Sequence, residues 1–274
     1  MHSSPIARQF DRSSAGSYDR HAAVQRTMAM QLGEELPYEV AQPAVILDVG
    51  CGTGDLTGRL AAAWPQAAIT ALDIAPGMLQ AAQRRLQSAQ AAGVGVRFLQ
   101  ADVERWSPCA EEASFDLIVS SACFQWLRDP KMTLRHLRRM LRPGGQLAFS
   151  TFGPDTFYEL HASFHEVYRS LNLRPQRHGL AFRSGAEWCE LLAEAGFTSV
   201  HERRSMYRAT YPSPRDFLLA VKELGASASE ARAVPGVSAR RLFAGMYQAY
   251  TNKFSTQEGV GATYELLTLR AKWD

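Results

Sequence analysis

The residues best suited to chemistry are glycines and carboxylates that follow short apolar runs. Val45 to Leu47 lead into Asp48, and glycines then stand at alternate positions 50, 52 and 54. This pattern predicts a buried strand that ends in a tight loop before a helix. Glycines let a ligand approach the backbone closely, and the Asp48 carboxylate can accept hydrogen bonds from a cationic group. The loop therefore favours a ligand that carries an amine.

The glycine spacing argues against a dinucleotide. In the dinucleotide-binding fingerprint the third glycine comes three residues after the second, but Asp55 stands three residues after Gly52. Asp73 ends a second apolar run, Ala68 to Leu72, and comes 19 residues after Gly54. At that separation a strand, helix and strand return an acidic residue to the ligand edge of a sheet, and its two oxygens suit a ribose diol.

Alternating strand and helix patterns surround these residues. Further apolar strands are predicted at 96–99, 115–119 and 146–151. Apolar strands without alternating polarity indicate a parallel sheet covered by helices on both faces. Ligands of such sheets bind at the carboxyl ends of the strands, where Asp48, Asp73, Asp102 and Ser120 fall. Four strand ends thus predict one site.

Local signals predict the remaining elements. A helix that carries Leu134, Leu137 and Leu141 inward is predicted to stop at Pro143-Gly144-Gly145. Ser184 and Glu187 form a predicted capping box. Further helices are predicted from Ser17 to Leu32, from 154 to 168, from Ser213 to Gly225 and from 238 to 250, and further strands at 199–211 and 263–271.

Length and composition allow one large domain. The 274 residues are 46% hydrophobic, which is enough for a full core. A net charge of +3 is too small to imply nucleic-acid binding, although it would favour an acidic partner. The four cysteines lack metal-site or redox spacing, which predicts reduced thiols. Without a secretory h-region or the roughly 20 apolar residues that span a membrane, we expect a cytoplasmic protein with no membrane or nucleic-acid partner.

Four motifs in order resemble those of class I S-adenosylmethionine-dependent methyltransferases. The motifs are Asp48 to Gly54, Asp73, Gln100-Ala101-Asp102 and Leu141-Arg142-Pro143-Gly144-Gly145. The resemblance covers residues 45 to 151 and implies an α/β fold, a Rossmann-like sheet of about seven mostly parallel strands with helical lid insertions. It also implies S-adenosylmethionine as the cofactor and S-adenosylhomocysteine as the product. The implied cofactor-binding residues are Tyr18, Asp48, Gly50, Cys51, Gly52, Asp73, Ile74, Met78, Ala101, Asp102, Val103 and Ser120.

The same resemblance implies a role for each motif. The glycine loop would lie under the methionine part of the cofactor, with Asp48 orienting the loop and the methionine amine. Asp73 would hold the ribose hydroxyls, and Asp102 with Val103 would meet the adenine.

Short matches outside this core resemble the malonyl-acyl carrier protein O-methyltransferases of biotin synthesis. They are Phe10, Ser17-Tyr18-Asp19, Gln25, Ser120, Gln125-Trp126, Phe152 to Thr156, Glu159-Leu160-His161, Lys222, Gly225-Ala226 and Thr263-Tyr264. This resemblance implies methylation of the free carboxylate of a malonyl thioester on acyl carrier protein. Masking that charge would let the apolar pockets of fatty-acid elongation accept the chain as a biotin precursor.

The implied reaction needs no strong base. A malonyl carboxylate is already ionised at neutral pH, so methyl transfer depends on alignment and on the exclusion of water. Tyr18, Gln125 and Trp126 are the catalytic candidates that would shape the acceptor pocket. The candidates for substrate recognition are His161, Arg183, Arg203, Arg204, Lys222 and Tyr264.

We expect a single methyltransferase domain over residues 1–274. It would comprise an N-terminal helical cap at 1–43, a cofactor-binding core at 44–151, and lid insertions at 152–183 and 213–255.

Several alternatives stay open from the sequence. Arg135, Arg138, Arg139 and Arg142 form either an exposed helix face or a docking surface for the carrier protein, a role for which Arg203, Arg204 and Arg208 compete. His161 and His165 stand four residues apart but lack a third ligand, so we expect no metal. The acceptor could instead be another small acid or a quinone. A methyltransferase-like assembly factor or a protein arginine hydroxylase is the alternative from another class.

Overall fold

The structure, a computed structural model, describes residues 22–40, 42–223 and 238–273. Tyr18, the predicted helix start at Ser17 and the predicted helix end at Gly225 lie outside these residues. Val24, Met28 and Leu32 are buried along the first described helix, as their spacing predicts.

Helices and strands alternate along the described chain. The helices are α1 (Ala23–Glu39), α2 (Asp55–Ala63), α3 (Pro76–Ala91), α4 (Val103–Trp106), α5 (Pro130–Met140), α6 (Tyr158–Ser170), α7 (Gly185–Glu194), α8 (Pro214–Glu223) and α9 (Ala239–Phe254), with short 3-10 turns at Ser107–Cys109 and Phe124–Trp126. The strands are β1 (Val45–Val49), β2 (Ala68–Asp73), β3 (Val96–Gln100), β4 (Phe115–Ser121), β5 (Leu141–Phe152), β6 (Thr198–Tyr211), β7 (Ser255–Thr256) and β8 (Gly259–Lys272).

The strands form one mostly parallel sheet. Its order is β3-β2-β1-β4-β5-β8-β6, and the two-residue β7 pairs with β8. Strands β1 to β5 pair in parallel, whereas β8 runs antiparallel to β5. The predicted fold class is therefore confirmed. Because β1 lies between β2 and β4, the strand order reverses at β1, which is where ligands of open α/β sheets bind.

Helices cover both faces of the sheet, as the apolar strands predict. Neighbouring residues Ile46 and Leu47 are both fully buried, but they belong to two different hydrophobic clusters. Leu117 and Ile118 of β4 divide between the clusters in the same way. Successive strand residues point to opposite faces, so the central strands β1 and β4 are packed on both sides, whereas β6 at the sheet edge is largely exposed.

Helices α1 and α9 extend to Glu39 and Phe254, beyond their predicted ends at Leu32 and 250, and two other predicted helix boundaries are wrong for a clear local reason. Helix α5 ends at Met140 because Leu141 is already extended, at φ −74° and ψ 143°, and pairs with Phe115 of β4. The predicted stop at Pro143-Gly144-Gly145 therefore falls within a strand. Helix α6 begins at Tyr158, four residues later than predicted, because Phe157 before it has a left-handed backbone at φ +64°.

The chain divides into two compact units. The first contains residues up to Phe152, Arg183–Arg204 and Leu266 onward, and the second contains Gly153–Phe182 and Ser205–Glu265. In the first unit, Ser184 and Glu187 make the predicted capping box. In the second, an aromatic cluster packs edge to face around Phe157, whose ring centroid lies 5.3 Å from that of Phe217 and 5.1 Å from that of Tyr264. No helix in the described parts of the chain is both long and apolar enough to cross a membrane.

Candidate active site

The loop between β1 and α2 holds three glycines in left-handed conformations. Gly50, Gly52 and Gly54 have φ values of +71°, +53° and +83°. A Cβ on Gly50 would lie 2.4 Å from Cys123 Sγ, whereas a Cβ on Gly52 would meet nothing within 4 Å. Gly50 is therefore required for packing, while Gly52 leaves open space for a ligand.

Asp73 fixes this loop from the end of β2. The amides of Gly50 and Cys51 donate to the Leu72 carbonyl at 2.8 and 2.9 Å. One carboxylate oxygen of Asp73 accepts from the Gly52 amide at 2.9 Å, and the other accepts from the Ala75 amide at 2.8 Å. A carboxylate has about four acceptor positions, so Asp73 can also accept hydrogen bonds from a diol.

Asp48 is a buried carboxylate with one unpartnered oxygen. Thr57 Oγ1 donates to Asp48 Oδ2 at 2.6 Å, but Asp48 Oδ1 is buried without a hydrogen-bond partner among the described residues. Burial raises the pKa of Asp48 to about 7; the Thr57 hydrogen bond lowers it, and the negative charge of Asp73 raises it further. A cationic donor placed at Oδ1 would stabilise the ionised form, so the site is suited to an ammonium group.

A cleft of about 800 Å³ adjoins the loop in the first unit. The predicted site residues that line it are Gly50, Gly52, Asp73, Ile74, Met78, Ala101, Asp102, Val103 and Trp126. They come from the ends of β1, β2, β3 and β4. The cleft is also lined by residues that the sequence motifs do not predict, which are Val49, Leu72, Glu104, Ser121, Ala122, Cys123, Leu127 and Arg128.

A smaller pocket of about 440 Å³ lies between this loop and α1. Asp48, Gly50, Cys51 and Gly52 line it, together with Gln25. Gln25 Oε1 is buried and, like Asp48 Oδ1, has no hydrogen-bond partner among the described residues. Two unpartnered acceptor oxygens in one pocket call for a ligand group that donates several hydrogen bonds. Only the family resemblance indicates Gln25, because a single glutamine has no characteristic spacing from other motif residues.

Arg128 closes one wall of the cleft. Asp102 Oδ1 accepts from the Glu104 amide at 3.0 Å and caps α4, as a helix N-cap does. Arg128 then bridges the two acids, with its Nη2 at 3.2 Å from Asp102 Oδ2 and its Nε at 3.2 Å from Glu104 Oε2. This wall joins residues 26 positions apart, which no local pattern in the sequence indicates.

Two predicted site residues instead hold the scaffold. Ser120 is fully buried, and its hydroxyl donates to the Val49 carbonyl at 2.8 Å, whereas the neighbouring Ser121 lines the cleft. Gln125 Nε2 donates to the Ala122 carbonyl at 2.7 Å, and Gln125 Oε1 accepts from Thr151 Oγ1 at 3.1 Å. Both ends of the Gln125 amide are therefore engaged, while Trp126 beside it lines the cleft.

The six substrate candidates divide between the units. In the first unit, Arg183 lies over the Trp188 ring at 5.7 Å, Arg203 pairs with Glu35, and Arg204 is exposed. In the second unit, Lys222 is exposed and Tyr264 is buried, with its hydroxyl 2.7 Å from that of Tyr211. His161 lines a separate pocket of that unit.

Three of the four arginines near α5 bind neighbouring segments of the first unit. Arg138 Nε donates to the Gly196 carbonyl at 3.0 Å, and Arg142 pairs with Asp116 at 2.9 Å. Arg139 Nη2 donates to three backbone carbonyls, those of Ser107, Pro108 and Ala110. These side chains are partly buried and hold the fold, so they do not form the exposed face that helical spacing suggests.

The described residues contain no group of three His, Cys, Asp or Glu side chains that could hold a metal ion.

Comparison with known proteins relates nearly the whole chain to methyltransferases. Residues 46–145 match a family model described as a methyltransferase domain. The malonyl-[acyl-carrier protein] O-methyltransferase of Paenibacillus sp. (strain JDR-2) is 52% identical over 270 residues, 97% of each chain. The protein of that name from Brevibacillus brevis is 43% identical over 259 residues, 94% of this chain and 92% of the relative.

A solved structure shares the fold. It is phosphoethanolamine N-methyltransferase 2 of Haemonchus contortus, in complex with phosphomonomethylethanolamine and S-adenosylhomocysteine. The TM-score is 0.61 at 15% identity, over 98% of this chain and 60% of that chain.

Proposed function

Because the chain belongs to the family of malonyl-[acyl-carrier protein] O-methyltransferases, we propose that it methylates the free carboxylate of a malonyl thioester on acyl carrier protein. The methyl donor is S-adenosylmethionine. The similarity over nearly the full length of both chains is the observation that carries this proposal.

The residues around the glycine loop fit the cofactor. Asp48 Oδ1 and Gln25 Oε1 are buried acceptors without a partner in the part of the chain that the structure describes, and they suit the ammonium group of the methionine part. The open space beside Gly52 admits the ligand close to the backbone. Asp73 would take the ribose hydroxyls, while Asp102 and Val103 would border the adenine in the larger cleft.

The proposed reaction depends on alignment of the methyl donor with the acceptor carboxylate more than on proton transfer. When bound, S-adenosylmethionine supplies an electrophilic methyl group on a sulfonium. This methyl group would pass to a carboxylate oxygen of the acceptor, with S-adenosylhomocysteine as the leaving group and no proton to transfer, so the residues of the site would need to hold and align the two reactants rather than supply a base. The apolar cleft wall at Trp126 would exclude water, which strengthens the electrostatic interactions that align the reactants.

Gln125 would act as a positioning residue. Its amide ties the Ala122 carbonyl to Thr151, at the ends of β4 and β5, and this fixes the turn that presents Trp126. Tyr18 remains a proposed contact of the cofactor and the acceptor.

Residues 152–183 and 213–255 are proposed lid insertions. In support, the second compact unit takes in 153–182 and all the described residues of 213–255, and it contains three of the six substrate candidates, His161, Lys222 and Tyr264.

Labelled methyl transfer tests the proposal. Incubation with S-adenosylmethionine labelled on the methyl group should transfer base-labile label to malonyl carrier protein. Acetyl carrier protein, which lacks the free carboxylate, is the matched control and should stay unlabelled. If label appears on free malonate but not on the malonyl carrier, the carrier-bound acceptor is wrong and the acceptor is a small acid.

A further inference from the structure

A polar pocket of about 650 Å³ lies wholly within the second unit. Its polar lining residues are Asp155, Tyr158, His161, His165, Gln176 and Arg177. Tyr158, His161 and His165 stand at spacings of three and four residues on α6, so they share one face of the helix. Residues 175–177 form the opposite wall.

Side-chain contacts attach that opposite wall to α6. His178, which follows it, stacks on Phe164 with ring centroids 3.6 Å apart and planes 10° apart. His178 Nε2 also lies 2.8 Å from the Tyr168 hydroxyl. Arg177 Nε donates to the Leu180 carbonyl at 3.1 Å. These contacts hold His178 against α6 and tie the Arg177 guanidinium to the Leu180 carbonyl.

Two buried nitrogen atoms of the lining residues have no partner. Arg177 Nη2 and His161 Nε2 make no hydrogen bond with any described residue. Arg177 also forms no ion pair within the described parts of the chain. The Arg177 side chain is partly buried, and its buried Nη2 is a charged donor that lacks an acceptor. The arrangement is therefore incomplete until an acceptor, preferably an anion, reaches Arg177.

The other charges in the pocket limit what that anion can be. Burial lowers the pKa of His161 to about 4, helped by the positive charges of Arg177, His178 and His165, so His161 is neutral at neutral pH. Asp155 adds one carboxylate to the lining. With one guanidinium and one carboxylate among its lining residues, the pocket suits a single oxyanion group better than a polyanion.

We propose that this pocket binds one oxyanion of the carrier-bound substrate, with Arg177 pairing with it and His161 Nε2 as the second contact. This inference rests on the proposed function. Two parts of that substrate carry a suitable oxyanion, the terminal carboxylate of the malonyl group and the phosphodiester of the prosthetic arm.

Steady-state kinetics with Arg177→Gln tests the proposal and separates the two sources. Hydrogen bonds to charged groups are worth about 1.5–3 kcal/mol, so KM for malonyl carrier protein should rise roughly 10- to 100-fold while the Kd for S-adenosylmethionine stays unchanged. Arg174→Gln, at an exposed arginine three residues away, is the matched control and should change KM less than about twofold.

Malonyl pantetheine, which lacks phosphate, distinguishes the sources. An equal rise in KM on this substrate assigns the pocket to the carboxylate, and a rise seen only with the carrier assigns it to the phosphodiester. Both results support the proposal. A KM within twofold of the unaltered protein on both substrates overturns it.

A binding measurement on the unaltered protein does not depend on turnover. Titration with malonate or inorganic phosphate should shift the ¹⁵N resonances of the His161 ring, and Arg177→Lys should retain part of the effect. Absence of any shift at roughly 10 mM of either anion, above the ~1 mM dissociation constant that corresponds to −4.1 kcal/mol, contradicts the proposal. Because this readout needs no ester formation, failure of the pocket and failure of the proposed function are distinguishable.

Discussion

Replacing Asp48 with asparagine should change stability and cofactor binding in ways that its environment dictates. The pKa of Asp48 is raised from 3.8 to about 7, chiefly by burial. At about 1.4 kcal/mol per pKa unit, the ionised carboxylate costs the folded protein on the order of 4 kcal/mol. The folded state holds the proton more tightly than the unfolded chain does. Stability from this group is therefore present below about pH 4 and is lost as pH rises toward 7.

The Asp48→Asn variant has no carboxyl group at this position, so its stability does not fall as the pH rises from 4 to 7 for this reason. Its free energy of unfolding, relative to that of the unaltered protein, should increase by up to about 4 kcal/mol between pH 4 and pH 8. A constant penalty of about 1–3 kcal/mol lies beneath this trend, because the new amide NH₂ occupies the position of the unpartnered Oδ1. Urea unfolding of the cofactor-free protein at several pH values measures both quantities.

The substitution should weaken cofactor binding at high pH, where it removes the cost of the buried charge. Loss of the charged acceptor should weaken S-adenosylmethionine binding roughly 10- to 100-fold at pH 8, since hydrogen bonds to charged groups are worth about 1.5–3 kcal/mol. Isothermal titration calorimetry gives the Kd. An unfolding free energy that keeps the pH profile of the unaltered protein, together with an unchanged Kd, would refute the role assigned to Asp48.

Four further substitutions separate effects on folding from effects on binding. Asp116→Asn should lower the unfolding free energy by about 1–3 kcal/mol at pH 7 but not near pH 2, and it should leave the cofactor Kd unchanged. Although burial favours a higher pKa, hydrogen bonds from backbone amides and Arg142 hold the Asp116 pKa below 3.8. The ionised carboxylate therefore stabilises the fold above about pH 4. Gly50→Ala should lower the unfolding free energy by more than about 2 kcal/mol, because the new Cβ would clash with the Cys123 sulfur. Gly52→Ala should lower it by only about 1–2 kcal/mol and should mainly weaken cofactor binding. Thermal unfolding measures the first quantity and calorimetry the second. Asp73→Asn should weaken S-adenosylmethionine binding at least about 10-fold, since one of its oxygens also holds the Gly52 amide; a Kd within twofold would contradict this role.

The sheet was predictable because its signals are local. Short apolar runs that end in Asp48, Asp73 and Asp102 mark strand ends, and strand ends of a parallel sheet share one edge. Of the four strand-end residues, Asp73 and Asp102 line the larger cleft, and the other predicted cleft residues follow from the family resemblance. The predicted end of α5 is wrong, because the pairing of Leu141 with Phe115 overrides the local turn signal of the glycines that follow.

The parts of the site that escaped prediction depend on long-range contacts. Gln25 reaches the glycine loop from α1, and Arg128 closes the cleft against Asp102, although neither belongs to a periodic pattern. Ser120 was chosen for its position at a strand end, but strand geometry points its side chain inward and Ser121 into the cleft. Helical spacing predicts an exposed face for the arginines near α5, yet Arg138 and Arg139 bond to carbonyls that lie far away in sequence.

Mass spectrometry of the carrier protein tests the central claim most directly. After incubation of malonyl carrier protein with this enzyme and S-adenosylmethionine, the account predicts a mass increase of one methylene group on the malonyl prosthetic arm, reversed by mild base. An unmodified malonyl carrier at saturating substrate, with S-adenosylmethionine bound to the protein, would contradict it.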